Sequence, residues 1–121
     1  MLNLDTHIAV AVLNGDLSKE EYGLVSVERL AISAIVLWEV AKLVQLKRLK
    51  LDLESQEFRE FVRQVTVIPI TLEIALKSAQ LDFQSDPADE IIAATSLVER
   101  IPLLTRDKKL LKSRKVPLAR V

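Results

Sequence analysis

The strongest constraint on this chain is its alternation of short β-type runs with longer helix-type stretches. Each run stops at a polar residue or a proline. Met1–Asp5, Leu30–Ile32, Val65–Ile68 and Pro102–Thr105 read as strands, and Pro117–Val121 adds a strand-like tail. Strands separated by helices need crossover connections, and crossovers make a mainly parallel sheet covered on both faces. The expected fold is therefore α/β, with a mainly parallel central sheet of about four to five short strands flanked by helices. Punctuation residues place those helices. Thr6–Leu13 ends at Asn14-Gly15, and Ser18 followed three residues later by Glu21 spells a capping box for a helix to about Glu28. Ser33 opens a helix to about Leu46, and Leu53–Gln64 is amphipathic. Thr71 opens another to about Leu81, and Asp86-Pro87 supplies an N-cap and a first-turn proline for a helix to about Arg100. A short helix from Asp107 to about Ser113 completes the set. No repeat, low-complexity stretch or linker divides residues 1–121, so one domain is expected.

Composition removes several function classes. Half of the residues are hydrophobic, enough for a packed core and incompatible with intrinsic disorder. Glu39, Lys42, Gln45 and Lys47 interrupt the greasiest stretch, so no membrane span is expected. Asp5 and His7 fall where a signal peptide would be apolar, which points to a cytoplasmic protein. Two glycines cannot build a phosphate-cradling loop. Zero cysteines exclude disulfides and thiolate chemistry, and one histidine argues against a histidine-based metal site.

Acids carry the functional signal. Ligands of an open parallel sheet bind beyond the C-terminal ends of its strands. Asp5 ends the first strand, and Asp107 follows the fourth. Glu39 lies roughly 9 Å into the helix after the second strand, at 1.5 Å per residue. Asp89 sits in the first turn opened by Asp86. Four carboxylates without histidine or cysteine suit a hard cation, Mg²⁺ or Mn²⁺, of the kind that assists phosphodiester hydrolysis. Each acid also has a local role open to it. Asp5 and Asp107 can cap helices, Asp89 can answer a helix dipole, and Glu39 can pair with Lys42. His7 is expected to pack or hydrogen-bond near the strand end, and Trp38 to lie in the core.

Net charge is zero, but residues 1–105 hold 10 basic against 16 acidic side chains, whereas residues 106–121 hold 7 against one. A basic end beginning beside Asp107 makes Arg106, Lys108, Lys109 and Lys112 candidates for contact with an anionic partner. A solvated final helix would have the same composition.

Four segments in order and spacing resemble the PIN domain family, in its VapC-like toxin branch. They are Leu4-Asp5-Thr6-His7, Ile32–Val40 with Trp38-Glu39, Asp86-Pro87-Ala88-Asp89 with Ile91–Thr95, and Leu103–Asp107. The resemblance covers essentially the whole chain. It implies a ribonuclease dependent on Mg²⁺ or Mn²⁺, with Asp5, Glu39, Asp89 and Asp107 as the catalytic, metal-holding acids. Thr6 and Thr105 match hydroxyl positions that support such a site, and Ser33 is a third candidate. It further implies an RNA substrate, a homodimer and a cognate antitoxin protein whose tail enters the acidic groove. A degenerate PIN-fold module that binds RNA or a protein without cutting is the competing expectation. Three positions depart from the family pattern: Glu90 where Arg is common, Val36 where a small hydroxyl residue is frequent, and Arg100 where Gly commonly precedes the fourth strand. A phospho-receiver is set aside because Ile68-Pro69-Ile70 lacks its aspartate. A dehalogenase-type phosphatase is set aside because His7 stands where its second aspartate belongs.

Overall fold

A computed structural model describes all of residues 1–121. Its sheet has four strands, all parallel, in the order β3-β2-β1-β4. They are β1 (Leu2–Leu4), β2 (Leu30–Ser33), β3 (Thr66–Ile68) and β4 (Leu103–Leu104). Leu2 pairs with Leu30, and Leu4 with Leu104, so β4 ends level with β1 and β2 runs one residue further. Strands this short hold their place because nearly every side chain is buried, as a parallel sheet covered on both faces demands. Seven helices surround the sheet: α1 (Thr6–Asn14), α2 (Lys19–Val27), α3 (Ala34–Gln45), α4 (Gln56–Gln64), α5 (Leu72–Ser78), α6 (Pro87–Glu99) and α7 (Lys108–Leu111). None is long and apolar enough to cross a membrane.

The helix starts follow the punctuation. Ser18 and Glu21 form the reciprocal capping box, and the Ser33, Ser55 and Thr71 side chains each accept a hydrogen bond from a first-turn backbone N–H. Because Ser55 takes the cap, α4 begins at Gln56 rather than Leu53. The expected fifth strand is reduced to one bridge, Leu103 to Leu118, with Leu103 N donating to Pro117 O and Ala119 N to Leu103 O. Pro117 has no N–H with which to extend that ladder.

Trp38 is 55% exposed and lies outside the core. Only Val36 and Val40 of α3 are buried, and Trp38 sits two residues, about 200° of helical rotation, from Val36. The core is built instead from Leu2, Leu4, Ile8, Ile32, Ile92 and Leu104. Buried among them, Asn3 Nδ2 donates to Ile92 O (3.2 Å) and Ser96 Oγ (2.9 Å). This polar tie fixes α6 against β1, and so fixes the element carrying Asp89 relative to the one carrying Asp5.

Arg100 closes α6 in the left-handed conformation, φ 57°. Only glycine adopts that conformation without a clash between Cβ and backbone. The Arg100 side chain is exposed and makes no ion pair. Arg100→Gly is expected to stabilise the fold by about 0.5–1 kcal/mol. It should appear as a higher urea midpoint at unchanged slope. An equal or lower midpoint would show that Arg100 is not strained.

Candidate active site

The C-terminal ends of β1 and β4 bring Asp5 and Thr105 side by side. Asp5 is 2% exposed, and burial of a carboxylate requires partners. Its Oδ1 accepts from Thr6 N (2.8 Å) and its Oδ2 from Thr105 Oγ1 (2.6 Å). The same Thr105 oxygen accepts from Asp107 N (3.0 Å), so one hydroxyl links the acids after the two strands. Thr6, the first residue of α1, donates from Oγ1 to Glu39 Oε1 and ties α1 to α3. Lys42 donates to Gln45, and Glu39 makes no ion pair with it. Asp107 caps α7, its Oδ1 accepting from Lys109 N (2.8 Å).

Asp89 completes the group from α6. Its Oδ2 accepts from Ser85 Oγ (2.9 Å), yet its carboxyl is pushed up to about 6. Desolvation is the main cause, and the charges of Asp5, Glu39 and Asp107 add to it against the Ser85 hydrogen bond. The four acids therefore share one electrostatic field. Glu39, Asp89 and Asp107 each have one oxygen held by a hydroxyl or N–H and the other free of protein hydrogen bonds. No three of the acidic or histidine side chains lie close enough together to enclose an ion as they stand.

Other candidates are placed differently. Ser33 is buried, and its hydroxyl accepts from Ile35 N and bonds to no acid, so it caps α3. His7 is exposed rather than packed. Glu90 Oε2 turns back to accept from Ser85 N (3.3 Å). Lys108, Lys109 and Lys112 are exposed and make no ion pair. Arg106 is committed elsewhere. Its guanidinium forms a fork on Glu21, Nε to Oε2 (2.8 Å) and NH2 to Oε1 (2.7 Å), and donates to Asp16 O (2.9 Å). That pairing joins α2 to the β4–α7 loop beside the site. It was not visible in the sequence, and neither was the Ser85 support of Asp89, although a hydroxyl four residues before an acid at a helix start was there to be read.

A family model described as PIN domain matches residues 3–116. The chain belongs to the PIN domain family. This PIN domain is similar to Ribonuclease VapC22 of Mycobacterium tuberculosis, 34% identical over 89 residues, a match covering 69% of this chain and 66% of that protein. The chain thus spans just under two thirds of that relative's length. Two solved structures share the fold. VapBC2 from Rickettsia felis, bound to a promoter DNA fragment, superposes with a TM-score of 0.74 at 20% identity, covering 98% of each chain. A toxin–antitoxin complex from Klebsiella pneumoniae superposes with a TM-score of 0.73 at 22% identity, covering 98% of this chain and 97% of that one.

Proposed function

We propose that this PIN domain is an endoribonuclease dependent on Mg²⁺ or Mn²⁺, the toxin of a toxin–antitoxin pair acting in the cytoplasm. The observation that carries the reading is the convergence of Asp5, Glu39, Asp89 and Asp107 at one strand edge, where burial raises the Asp89 carboxyl to about 6 and the charges of the other three acids add to it. The donor set is entirely oxygen, which fits a hard divalent cation, and such an ion would relieve the crowding that raises Asp89. When bound, it supplies charge neutralisation and a more acidic water at the phosphodiester. The chain's own residues do the rest. Thr105 and Thr6 hold Asp5 and Glu39 in place, Ser85 orients Asp89, and the lysines of α7 face the RNA backbone. The likeness to Ribonuclease VapC22 supports this assignment.

An antitoxin partner and a homodimer are part of the same proposal. Leu37, Leu53, Phe58 and Val62, together with Arg59 and Arg63, line a largely apolar groove between α3 and α4, and Trp38, Leu72 and Leu76 stand exposed. Apolar surface of this kind marks protein contact. Light scattering of the purified chain is expected to give a dimer, and a strict monomer at high concentration removes that part.

The deciding experiment is cleavage of RNA by the purified chain, freed of any partner. Cutting should require Mg²⁺ or Mn²⁺ and stop with EDTA. Turnover undiminished by EDTA overturns the metal reading. Tight RNA binding without any cutting, metal present, favours the non-catalytic module instead. Reversing the charge of Lys108, Lys109 and Lys112 together should weaken binding and flatten its salt dependence by about 2, from three phosphate contacts at roughly 0.7 each. An unchanged slope returns α7 to a merely solvated helix.

A further inference from the structure

Beside the acids lies a second feature that catalysis alone does not explain. A cleft of ≈ 460 Å³ opens from Glu39 and is lined by His7, Leu43, Arg48, Leu49 and Asp86. Its wall is partly aliphatic, and its polar groups include two donors, His7 and Arg48, and the Asp86 acceptor.

Two local irregularities make this more than a surface dent. Asp86 occupies the N-cap of α6 but makes no capping hydrogen bond, so its carboxylate is left free at the cleft. At the other side, α3 ends in a tight reversal, with Lys47 N donating to Val44 O (3.1 Å) and Arg48 N to Leu43 O (2.9 Å). That pattern puts Lys47 in the left-handed conformation, φ 59°, where glycine is the usual residue. The reversal pins the Arg48 backbone against Leu43 at the cleft. Lys47, Arg48 and Lys50 are all exposed, and none of them is in an ion pair. Of these cations Arg48 lines the cleft, and an unpaired guanidinium with an aliphatic wall and free acceptors beside it matches a nucleotide better than an apolar ligand or a lone anion.

We infer that this cleft holds the nucleotide next to the bond being cut. Arg48 takes its phosphate, Leu43 and Leu49 pack against its base, and Asp86 accepts from an N–H on the base edge. The inference rests on the ribonuclease reading of the acidic site and names where its substrate continues. Arg48 is thus a positioning residue whose contribution is to binding.

The test uses the full chain and one labelled single-stranded RNA that the wild type cuts with Mn²⁺ present. Arg48→Ala should raise KM about tenfold, the loss of one charge-assisted hydrogen bond, and change kcat by less than about twofold. The salt slope of RNA binding, read by anisotropy in EDTA, should fall by about 0.7. Arg48→Lys should restore the slope, because it keeps the charge. Asp86→Ala should alter which nucleotide flanks the cut sites in a mixed RNA pool. Wild-type KM and slope for Arg48→Ala, on an RNA the wild type cuts, overturn the cleft inference and leave the nuclease reading standing. Arg48-dependent RNA binding without cutting by the wild type supports the cleft and overturns the nuclease reading. Neither binding nor cutting by the wild type overturns both. An Arg48→Ala variant that loses only a protein partner assigns the turn to that partner and overturns the cleft inference.

Discussion

Asp89→Asn is expected to abolish RNA cleavage and, in the same protein, to raise stability at neutral pH. Residues that merely orient a metal ligand cost about 10- to 100-fold when removed, so losing the charged ligand itself should cost at least about a hundredfold. The stability gain follows from the raised Asp89 carboxyl, at about 6 in the folded chain against an ordinary 3.8. Between those values the folded state holds a proton that the unfolded state has released. Stability contributed at this site therefore falls as pH rises through that window, and the full penalty applies above pH 6. Two units correspond to about 3 kcal/mol, which partial exposure and solvent screening reduce to about 1 kcal/mol. Thermal melts in EDTA should place the variant about 5 °C above the wild type at pH 7. The difference should close below about pH 4, where both states are protonated. Added Mn²⁺ should raise the melting point of the wild type more than that of the variant, because an ion stabilises only the state it binds. A variant less stable at pH 7, or one stabilised equally by Mn²⁺, would remove Asp89 from the site.

Breaking the Glu21–Arg106 pair is expected to be the most destabilising single change outside the apolar core. Glu21 is 7% exposed and Arg106 45% exposed. Arg106→Ala strands a buried carboxylate that also serves the α2 capping box, at a cost of about 3 kcal/mol. Lysine should not rescue it, because one ammonium cannot reproduce a two-point fork. Adding Glu21→Gln to Arg106→Ala should recover part of the loss by removing the stranded charge. The pH dependence runs opposite to that of Asp89. The Arg106 hydrogen bonds hold the Glu21 carboxyl down at about 2, so the pair's contribution is complete above about pH 4.5 and fades as pH falls toward 2. Urea unfolding at pH 7 measures the cost. A loss under about 1 kcal/mol would place this pair among ordinary surface ion pairs. Since Asp107 directly follows Arg106, the same variant should also weaken Mn²⁺ binding.

What could be read from the residues depended on how far each interaction reached along the chain. Ser18 with Glu21, Thr71 and Pro87 mark helix starts because a cap acts within one turn. The existence of every helix and all four strands was legible for that reason. Asp5 and Asp107 could be placed at one edge because short parallel strands deliver the residues after them there, whereas Glu39 and Asp89 sit within helices and reach that edge through packing. Trp38 lies outside the core it is expected to join, because a nearly all-apolar helix does not say which stripe meets the sheet. Ser33 shows that a hydroxyl before a helix reads the same in sequence as a cap and as a carboxylate support. The final strand failed at Pro117, a residue whose missing N–H was visible in advance.

By itself, the sequence determined the order of elements, the parallel sheet and the acids at its C-terminal edge, since local hydrogen bonding and hydrophobic spacing set these within a few residues. Tertiary structure alone decided that Asp5, Glu39, Asp89 and Asp107 share one field, and that Arg106 turns to Glu21 rather than to solvent. It alone placed Arg48 and Leu49 on a cleft reaching Glu39. Those outcomes rest on pairings between segments far apart in the chain, and they are settled only when the sheet and its helices pack together.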